Sequence, residues 1–203
     1  MADQPAGEDR RDRRRRELHA RVESAALNLF VLNGYRATTM DQIAENADTS
    51  RRTLFYHFPR KRDILDIWSD RRRDHLASMF DDEALAEASA RERLTRQFEA
   101  LARINTDDPA LARVIVTGRL AEMETLEESF PVFDALQNSV ALGQDAGEFG
   151  DHVSAETVAE VLTSCYMDTL QRWIFSDQQP VAALGDTLRV KLDLVLDGLS
   201  GAR

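Results

Sequence analysis

Hydrophobic residues recur at intervals of three and four along almost the whole chain, which is the spacing of helices that bury one face. The first such run begins at Glu17, ends at Gly34, and places Leu18, Val22 and Phe30 on one side. No stretch shows the sustained period-two alternation of a strand. The pattern therefore predicts an all-α fold of about nine helices, with a three-helix N-terminal domain and a longer helical body.

A stretch that follows this first helix predicts two short helices joined by a tight turn: TTMDQIAENADTSRRTLFYHFPRKRDIL. Thr39 and Gln42 have the spacing of a capping box, in which each side chain pairs with a free backbone N–H at a helix start. Asp48 falls where the chain must turn, and Asp tolerates a left-handed backbone. Ser50 can cap the second short helix. The stretch is therefore a candidate helix-turn-helix.

The second short helix has an inner and an outer face. Leu54, Phe55 and Phe58 are predicted to point inward, and Pro59 ends the helix because it cannot continue the backbone hydrogen bonding. The side chains left on or near the outer face are Arg51, Arg52, Thr53, Tyr56 and His57. This mixture of cations, hydroxyl groups and aromatic rings suits nucleic acid.

The rest of the chain predicts a long fourth helix and five body helices. We place them at about 60–80, 84–105, 109–128, 130–146, 154–176 and 181–199. Pro109 and Pro131 fit first turns. The fourth helix would be about 30 Å long, enough to link the front domain to the body.

The last two helices are apolar on more than one face, which predicts burial on more than one face. One explanation is a central position in the body. The other is a two-fold dimer interface built as a four-helix bundle. The candidate interface residues are Val158, Leu162, Leu184, Leu188, Leu192 and Val195.

The predicted N-terminal domain and the predicted body differ in net charge. The net charge is −10, yet residues 1–62 hold 13 basic and 9 acidic residues, whereas residues 63–203 hold 13 and 27. A basic front and an acidic back fit a small DNA-reading domain on a body that stays off the phosphates.

An arginine cluster precedes the first helix and has two interpretations. Residues 10–16 contain six arginines, and residues 1–12 lack periodicity and are expected to be disordered. The cluster is either a solvated, fraying helix start or part of a flexible basic arm, residues 1–16, that lies along phosphates or enters a minor groove.

The sequence gives little support for a membrane protein, a metal-binding protein or an enzyme. No apolar run has the roughly 18 residues of a membrane span, and the N-terminus is polar, so we expect a soluble cytoplasmic protein. Cys165 is the single cysteine, and His19, His57, His75 and His152 lack metal-ligand spacing. Common catalytic and nucleotide-binding motifs are missing. We therefore expect no enzyme activity, no cofactor and no metal site.

The pattern FVLNGYRATTMDQIAENADTSRRTLFYHFPRKRDIL resembles the N-terminal domain of TetR-family transcriptional regulators. The shared features are a glycine after helix one, two threonines opening helix two, a serine capping helix three, a Thr-Leu-aromatic run, and a Phe followed three residues later by Lys. The match covers residues 17–66. It implies a DNA-binding domain over residues 17–62 and an all-helical effector-binding and dimerisation domain over residues 63–203.

The resemblance implies that helix three enters the major groove and presents its outer-face residues to the bases. Thr39 and Lys61 match the family's phosphate-contacting positions. Arg52 stands where the family often has Gly, and a bidentate contact with guanine would add about 1–3 kcal/mol of discrimination. Phe55 stands where a Tyr hydroxyl commonly meets a phosphate, and Asp48 replaces a usual Gly.

The expected function is a homodimeric repressor whose two copies of helix three lie about 34 Å apart on a near-palindromic operator. An apolar or aromatic small-molecule effector, with or without an anionic group, would release the DNA, with helix four transmitting the change. Candidate effector contacts are Arg113, Met123, Phe130, Phe133, Tyr166 and Trp173. The alternatives are a helical enzyme or carrier and an adaptor that has lost DNA binding.

Overall fold

The computed structural model describes residues 10–80, 87–122, 131–176 and 182–200. Over these residues it contains nine α-helices and no strand, which confirms the all-α prediction. In chain order the helices are α1 Arg10–Asn33, α2 Met40–Asn46, α3 Arg51–His57, α4 Lys61–Phe80, α5 Ala90–Thr106, α6 Pro109–Glu122, α7 Pro131–Asp145, α8 Ala155–Phe175 and α9 Ala182–Ser200. The bounds of α4, α7, α8 and α9 lie within one residue of those predicted.

Two helices begin at places that the sequence pattern did not indicate. α1 starts at Arg10, so residues 10–12, which we expected to be disordered, are helical, and residues 1–9 lie outside the described part. α5 starts at Ala90 rather than near residue 84, because Ser89 caps it and Glu92 completes a capping box. The predicted end of α6 near residue 128 lies outside the described residues.

The chain divides into two compact units. The first, called the head here, consists of residues 1–68 and 114–122, and the second, called the body, of residues 69–113 and 123–203. This division differs from the predicted domain bounds in two ways. It falls inside α4 instead of after residue 62, and it assigns the second half of α6 to the head.

The head is held together by a small apolar core to which each of its first four helices contributes. Val22 of α1, Ile43 of α2, Leu54 of α3 and Ile64 of α4 are all completely buried. Helices as short as α2 and α3 have little stability of their own, so this packing is what fixes their orientation.

The body contains a closed ring of four helices. α5 packs on α7 and α9, and α8 packs on the same two helices, so α5 and α8 lie across the ring from each other. Each ring helix has a fully buried leucine, such as Leu101 of α5, Leu136 of α7 and Leu162 of α8. These leucines fill the interior of the ring.

The connection between α7 and α8 closes one end of this ring. Glu148 accepts hydrogen bonds from the backbone N–H groups of Ala90 at 2.7 Å and Arg91 at 2.9 Å, and its negative charge suits the start of α5. Gly143 is needed beside it, since a Cβ there would lie 2.5 Å from the Phe149 ring.

The predicted dimer-interface residues are mostly core residues of a single chain. Five of them are at most 3% exposed: Val158, Leu162, Leu184, Leu188 and Leu192. Only Val195 is partly exposed. The prediction was wrong for the five because the stripe with the strongest helical period packs inside the body. The apolar residues that α8 and α9 leave outside are Val161, Phe175, Val190 and Leu194, with exposures of 43% to 75%.

Candidate nucleic-acid interface

The start of α2 has the capping box that the sequence predicted. The Thr39 hydroxyl accepts a hydrogen bond from the Gln42 backbone N–H at 3.2 Å, and the Gln42 side chain accepts one from the Thr39 backbone N–H at 2.9 Å. Thr39 is exposed, so its hydroxyl lies at the surface. A phosphate contact by Thr39 stays a prediction.

The turn between α2 and α3 depends on an aspartate in a left-handed conformation. Asp48 has a φ of +48°, as the sequence predicted for this position. The next backbone N–H, that of Thr49, donates to the carbonyl of Ala44 at 3.0 Å. Ser50 then caps α3 by accepting a hydrogen bond from the Thr53 N–H at 3.0 Å. The turn is therefore formed without the usual glycine.

α3 is anchored on one side and exposed on the other. Leu54 is fully buried and Phe58 is 2% exposed, whereas Tyr56 is 82% exposed. Arg51 and Arg52 are also exposed. Tyr56 and the two arginines are not part of the core, so this face is available to a partner.

The two arginines of this face differ in their surroundings. The Arg51 Nε lies 3.2 Å from an Asp41 carboxylate oxygen, and its guanidinium carbon lies 5.3 Å from the centroid of the Phe55 ring. Arg52 has no ion-pair partner among the residues that the structure describes. Exposed ion pairs are worth at most about 1 kcal/mol, so the pair with Asp41 would not prevent Arg51 from meeting a phosphate.

His57 is turned toward α1 rather than fully outward. Its Nδ1 lies 3.4 Å from Nε2 of His19, and the two rings meet edge to face with centroids 5.2 Å apart. The His19 ring also packs on Phe58, 4.7 Å away. His57 thus lies at the edge of the outer face, partly exposed, and joins α3 to α1. A DNA contact by His57 stays a prediction.

Lys61 also has an internal role that the family resemblance did not imply. Its Nζ donates to the carbonyl oxygens of Tyr35 at 2.5 Å and Thr38 at 2.8 Å, and lies 4.3 Å from the centroid of the Tyr35 ring. Burial lowers the pKa of the Lys61 ammonium. The side chain thus ties the start of α4 to the loop after α1. A phosphate contact by Lys61 stays a prediction.

The loop after α1 also meets the end of α6. The hydroxyl of Tyr35, a residue only 4% exposed, donates to a Glu122 carboxylate oxygen at 2.8 Å. Burial and this bond raise the pKa of Tyr35. Gly118 permits the close approach, since a Cβ there would lie 2.7 Å from Leu65 and 3.2 Å from Tyr35. The sequence pattern missed this contact, and its one signal was a glycine inside a predicted helix.

The candidate effector contacts do not form one group. Tyr166 and Trp173 are buried in the body, Phe133 is partly exposed, and Arg113 is exposed on α6 and therefore not part of an interior lining. Met123 and Phe130 lie outside the described residues. Tyr166 and Trp173 are the two that face the interior.

Tyr166 belongs to a buried polar network that the sequence did not reveal. Asn105 donates from Nδ2 to the Tyr166 hydroxyl at 3.1 Å and accepts at Oδ1 from the Arg72 guanidinium at 3.0 Å. Arg72 also donates to the carbonyl of Ile104 at 2.5 Å. Burial raises the pKa of Tyr166 and lowers that of Arg72. The Tyr166 O–H itself donates to no group in the described part of the chain.

Two further polar atoms are buried in the body. Oε1 of Gln97 and Oγ1 of Thr163 have no hydrogen-bond partner in the described structure, although Gln97 donates from Nε2 to Ser139 at 3.0 Å. Buried polar atoms without a partner are uncommon in folded proteins. Within the same residues no group of three or more His, Cys, Asp or Glu side chains could hold a metal ion.

Residues 24–66 match the family model described as bacterial regulatory proteins of the tetR family. Over these residues the chain belongs to the TetR family. The matched segment contains α2, α3, the turn at Asp48 and the start of α4. Within the TetR family this segment is the DNA-binding helix-turn-helix, so the chain is a DNA-binding transcriptional regulator.

Relatives of this TetR-family chain include the transcriptional activator FasR of Mycolicibacterium smegmatis, which is 26% identical over 179 residues, 86% of this chain and 81% of that one. The fatty acid metabolism regulator protein of Bacillus subtilis is 20% identical and covers 92% of this chain and 98% of its own. The regulator RutR of Escherichia coli is 44% identical over 55 residues, covering 23% of this chain and 26% of its own.

Solved structures of TetR-family regulators have the same fold. PfmR of Thermus thermophilus has a TM-score of 0.66 at 23% identity and covers 88% of this chain and 98% of its own. FadR of Bacillus subtilis in complex with stearoyl-CoA has a TM-score of 0.68 at 19% identity and covers 91% and 100%. None of the helices in the described residues has the length and apolar character needed to cross a membrane.

Proposed function

We propose that this TetR-family chain acts in the cytoplasm as a homodimeric repressor, which binds a near-palindromic operator and is released from it by an apolar small-molecule effector. The observation that carries the proposal is the outer face of α3, where Arg51, Arg52 and Tyr56 are exposed above a buried anchor. Two copies of such a helix about 34 Å apart would enter successive major grooves. Residues 17–62 and 63–203 are the proposed functional domains.

Arg52 and Tyr56 are the proposed base-reading residues, with Arg51 and Thr53 beside them. Arg52 can approach guanine with two parallel N–H donors, an arrangement that discriminates between bases. Thr39 is the proposed phosphate contact at the start of α2, where its hydroxyl is exposed. His57 and Lys61 take supporting positions in this scheme, because their contacts are mainly with α1 and the loop after it.

The DNA-reading part of the proposal is tested by measuring binding to a duplex from the region upstream of the gene, against a scrambled duplex of equal composition. Arg52→Ala and Tyr56→Ala should each reduce the preference for the upstream duplex by about 1–3 kcal/mol. Arg103→Ala removes an arginine that is 72% exposed on the body and serves as the matched control. Equal binding of both duplexes by the unchanged protein would contradict the proposal.

The second copy is proposed to bind the outer faces of α8 and α9. Val161, Val190 and Leu194 form an apolar surface there that no residue of the described part of the chain covers, and exposed apolar patches commonly mark protein contacts. Leu194→Glu should convert the dimer to a monomer in light scattering. Leu142→Glu, on α7, changes a leucine that is 51% exposed and should leave the dimer intact. A monomeric unchanged protein would rule out this arrangement.

The effector is proposed to bind in the body near the polar network of Tyr166. The O–H of the buried Tyr166 and the half-buried guanidinium of Arg72 would suit an acceptor group on an otherwise apolar ligand. Two of the structural neighbours were solved with lauroyl-CoA and stearoyl-CoA, so acyl-CoA thioesters are the first class to test. α4 and α6 each have residues in both compact units, so they would transmit the change.

Thermal-shift and DNA-release assays with lauroyl-CoA, stearoyl-CoA and dodecanoate test the effector part. At least one ligand should raise the melting temperature of the unchanged protein and lower its affinity for the upstream duplex, because release requires tighter binding to the DNA-free state. Tyr166→Phe should weaken both effects. If none of the three ligands has either effect, acyl compounds are excluded as effectors. Binding without turnover is expected, because we propose a regulator and not an enzyme.

A further inference from the structure

The arginine cluster of α1 is a helical projection beyond the core of the head. The first buried residue of α1 is Leu18, and residues 10–17 before it are all exposed. Eight helical residues extend about 12 Å. This segment, called the α1 extension here, contains six arginines against Asp12 and Glu17. Such a density of like charge opposes helix formation unless an anionic partner offsets it.

Contacts on the next turn of α1 fix the position of this extension beside α3. His19 lies 3.4 Å from His57, the last residue of α3, and packs on Phe58. The exposed Tyr56 ring lies 5.1 Å from the His57 ring. The α1 extension therefore begins at the C-terminal end of the same helix that carries Arg51 and Arg52.

The six arginines divide between two faces of the extension. Successive residues of a helix turn by about 100°, so Arg15 and Arg16, four and three residues before His19, lie on its side, and Arg11 lies one turn further out. Arg10, Arg13 and Arg14 lie on the opposite side. Arg13 pairs there with Glu17 at 2.9 Å, and on the His19 side Arg15 pairs with Asp12 at 3.3 Å; both pairs are highly exposed. Each face therefore carries three of the six arginines, and the two faces differ only in which side of the helix they occupy.

We propose that the His19 side of the α1 extension is a second DNA-binding surface, which contacts the sugar-phosphate backbone next to the groove that α3 enters. Arg11, Arg15 and Arg16 are the contacting residues. DNA supplies the closely spaced anions that offset their mutual repulsion. The contact adds affinity without reading sequence, since phosphates carry no base information. This inference rests on the proposed function, because it places α3 on DNA.

Two triple variants with equal charge change provide the test. The first replaces Arg11, Arg15 and Arg16 with Gln, and the second replaces Arg10, Arg13 and Arg14 with Gln. A third variant, with Gln at Arg73, Arg96 and Arg103, removes the same charge from exposed positions outside the extension. Affinity for the upstream and scrambled duplexes is measured by fluorescence anisotropy over a series of salt concentrations. Circular dichroism checks that each variant keeps its helix content.

The slope of log affinity against log salt concentration falls by about 0.9 for each phosphate contact that is lost. We expect the first variant to lower the slope by about 2–3 on both duplexes, and the other two to lower it by less than about 1. The preference for the upstream duplex should stay unchanged. Equal slopes for the two extension variants, or a comparable change in the third variant, would overturn the inference.

The two proposals fail in distinguishable ways. If the unchanged protein binds both duplexes equally, the proposed sequence-specific function is wrong, yet the scrambled duplex still reports the phosphate contacts of the α1 extension. If the preference is present and the salt slopes of all variants agree, only the second DNA-binding surface is wrong. In that case the α1 extension is a solvated helix end.

Discussion

The outer face of α3 and the interior of the body both carry polar side chains, but these side chains have opposite relations to the fold. Tyr56 and Arg52 are exposed and have no part in the core. In the body, Asn105 is hydrogen-bonded to both Tyr166 and Arg72. A surface like the first can change its chemistry at little structural cost, whereas a change in the second alters stability and ligand binding together.

The largest expected loss of stability comes from the apolar interior of the body. Leu101 is fully buried on α5, one of the four helices of the ring. Leu101→Ala should lower the free energy of unfolding by about 2–5 kcal/mol, because it removes buried methyl groups and leaves a cavity. Urea denaturation followed by circular dichroism measures the change. A loss below about 1 kcal/mol would show that the ring collapses around the smaller side chain.

A smaller loss is expected from the polar network. Asn105→Ala removes the partner of both Arg72 and Tyr166. An unsatisfied buried group costs about 1–3 kcal/mol, so we expect a loss in that range by the same denaturation assay. An unchanged stability would mean that water replaces the amide, and Asn105→Asp, which keeps an acceptor for Arg72, is the comparison variant.

Tyr166→Phe should cost about 0.5–1.5 kcal/mol of stability, since it removes one acceptor and the amide of Asn105 still donates to the carbonyl of Leu101 at 2.7 Å. Its effect on ligand binding should be the larger one. Measurement of both quantities on the same protein separates a structural role of the hydroxyl from a role in binding. A stability loss as large as that of Asn105→Ala would show that the hydroxyl mainly supports the fold.

The smallest expected effect on stability belongs to the outer face of α3. Tyr56→Ala should change the free energy of unfolding by less than about 0.5 kcal/mol, because the side chain is 82% exposed. The same variant should lose much of its preference for the operator. A clear destabilisation would show that the outer face of α3 also contributes to the stability of the fold.

The sequence predicted local structure well, because local rules determine it. The capping box of Thr39, the left-handed Asp48 and the Ser50 cap each depend on residues a few positions apart. Contacts between distant residues had no such signal. The bond between Tyr35 and Glu122 joins residues 87 positions apart, and the network of Arg72 joins three helices.

The dimer-face prediction was wrong for a related reason. Helical periodicity shows that α8 and α9 have an apolar stripe, but it does not show whether the stripe meets the same chain or another. Leu162 and Leu188 fill the ring of the body, and the less regular Val190 and Leu194 remain outside. Likewise, periodicity placed His57 near the outer face of α3 without revealing His19 as its neighbour.

The assignment of residues 114–122 to the head has a practical consequence for protein engineering. A fragment cut after residue 68 would lack Gly118 and the Glu122 carboxylate, and would leave the Tyr35 hydroxyl without its acceptor. A chimera that grafts this DNA-binding head onto another effector domain must therefore transplant two separate pieces of sequence. Exchange of the N-terminal piece alone would combine α3 with the α6 segment of another protein, which lacks the contacts that residues 114–122 make here.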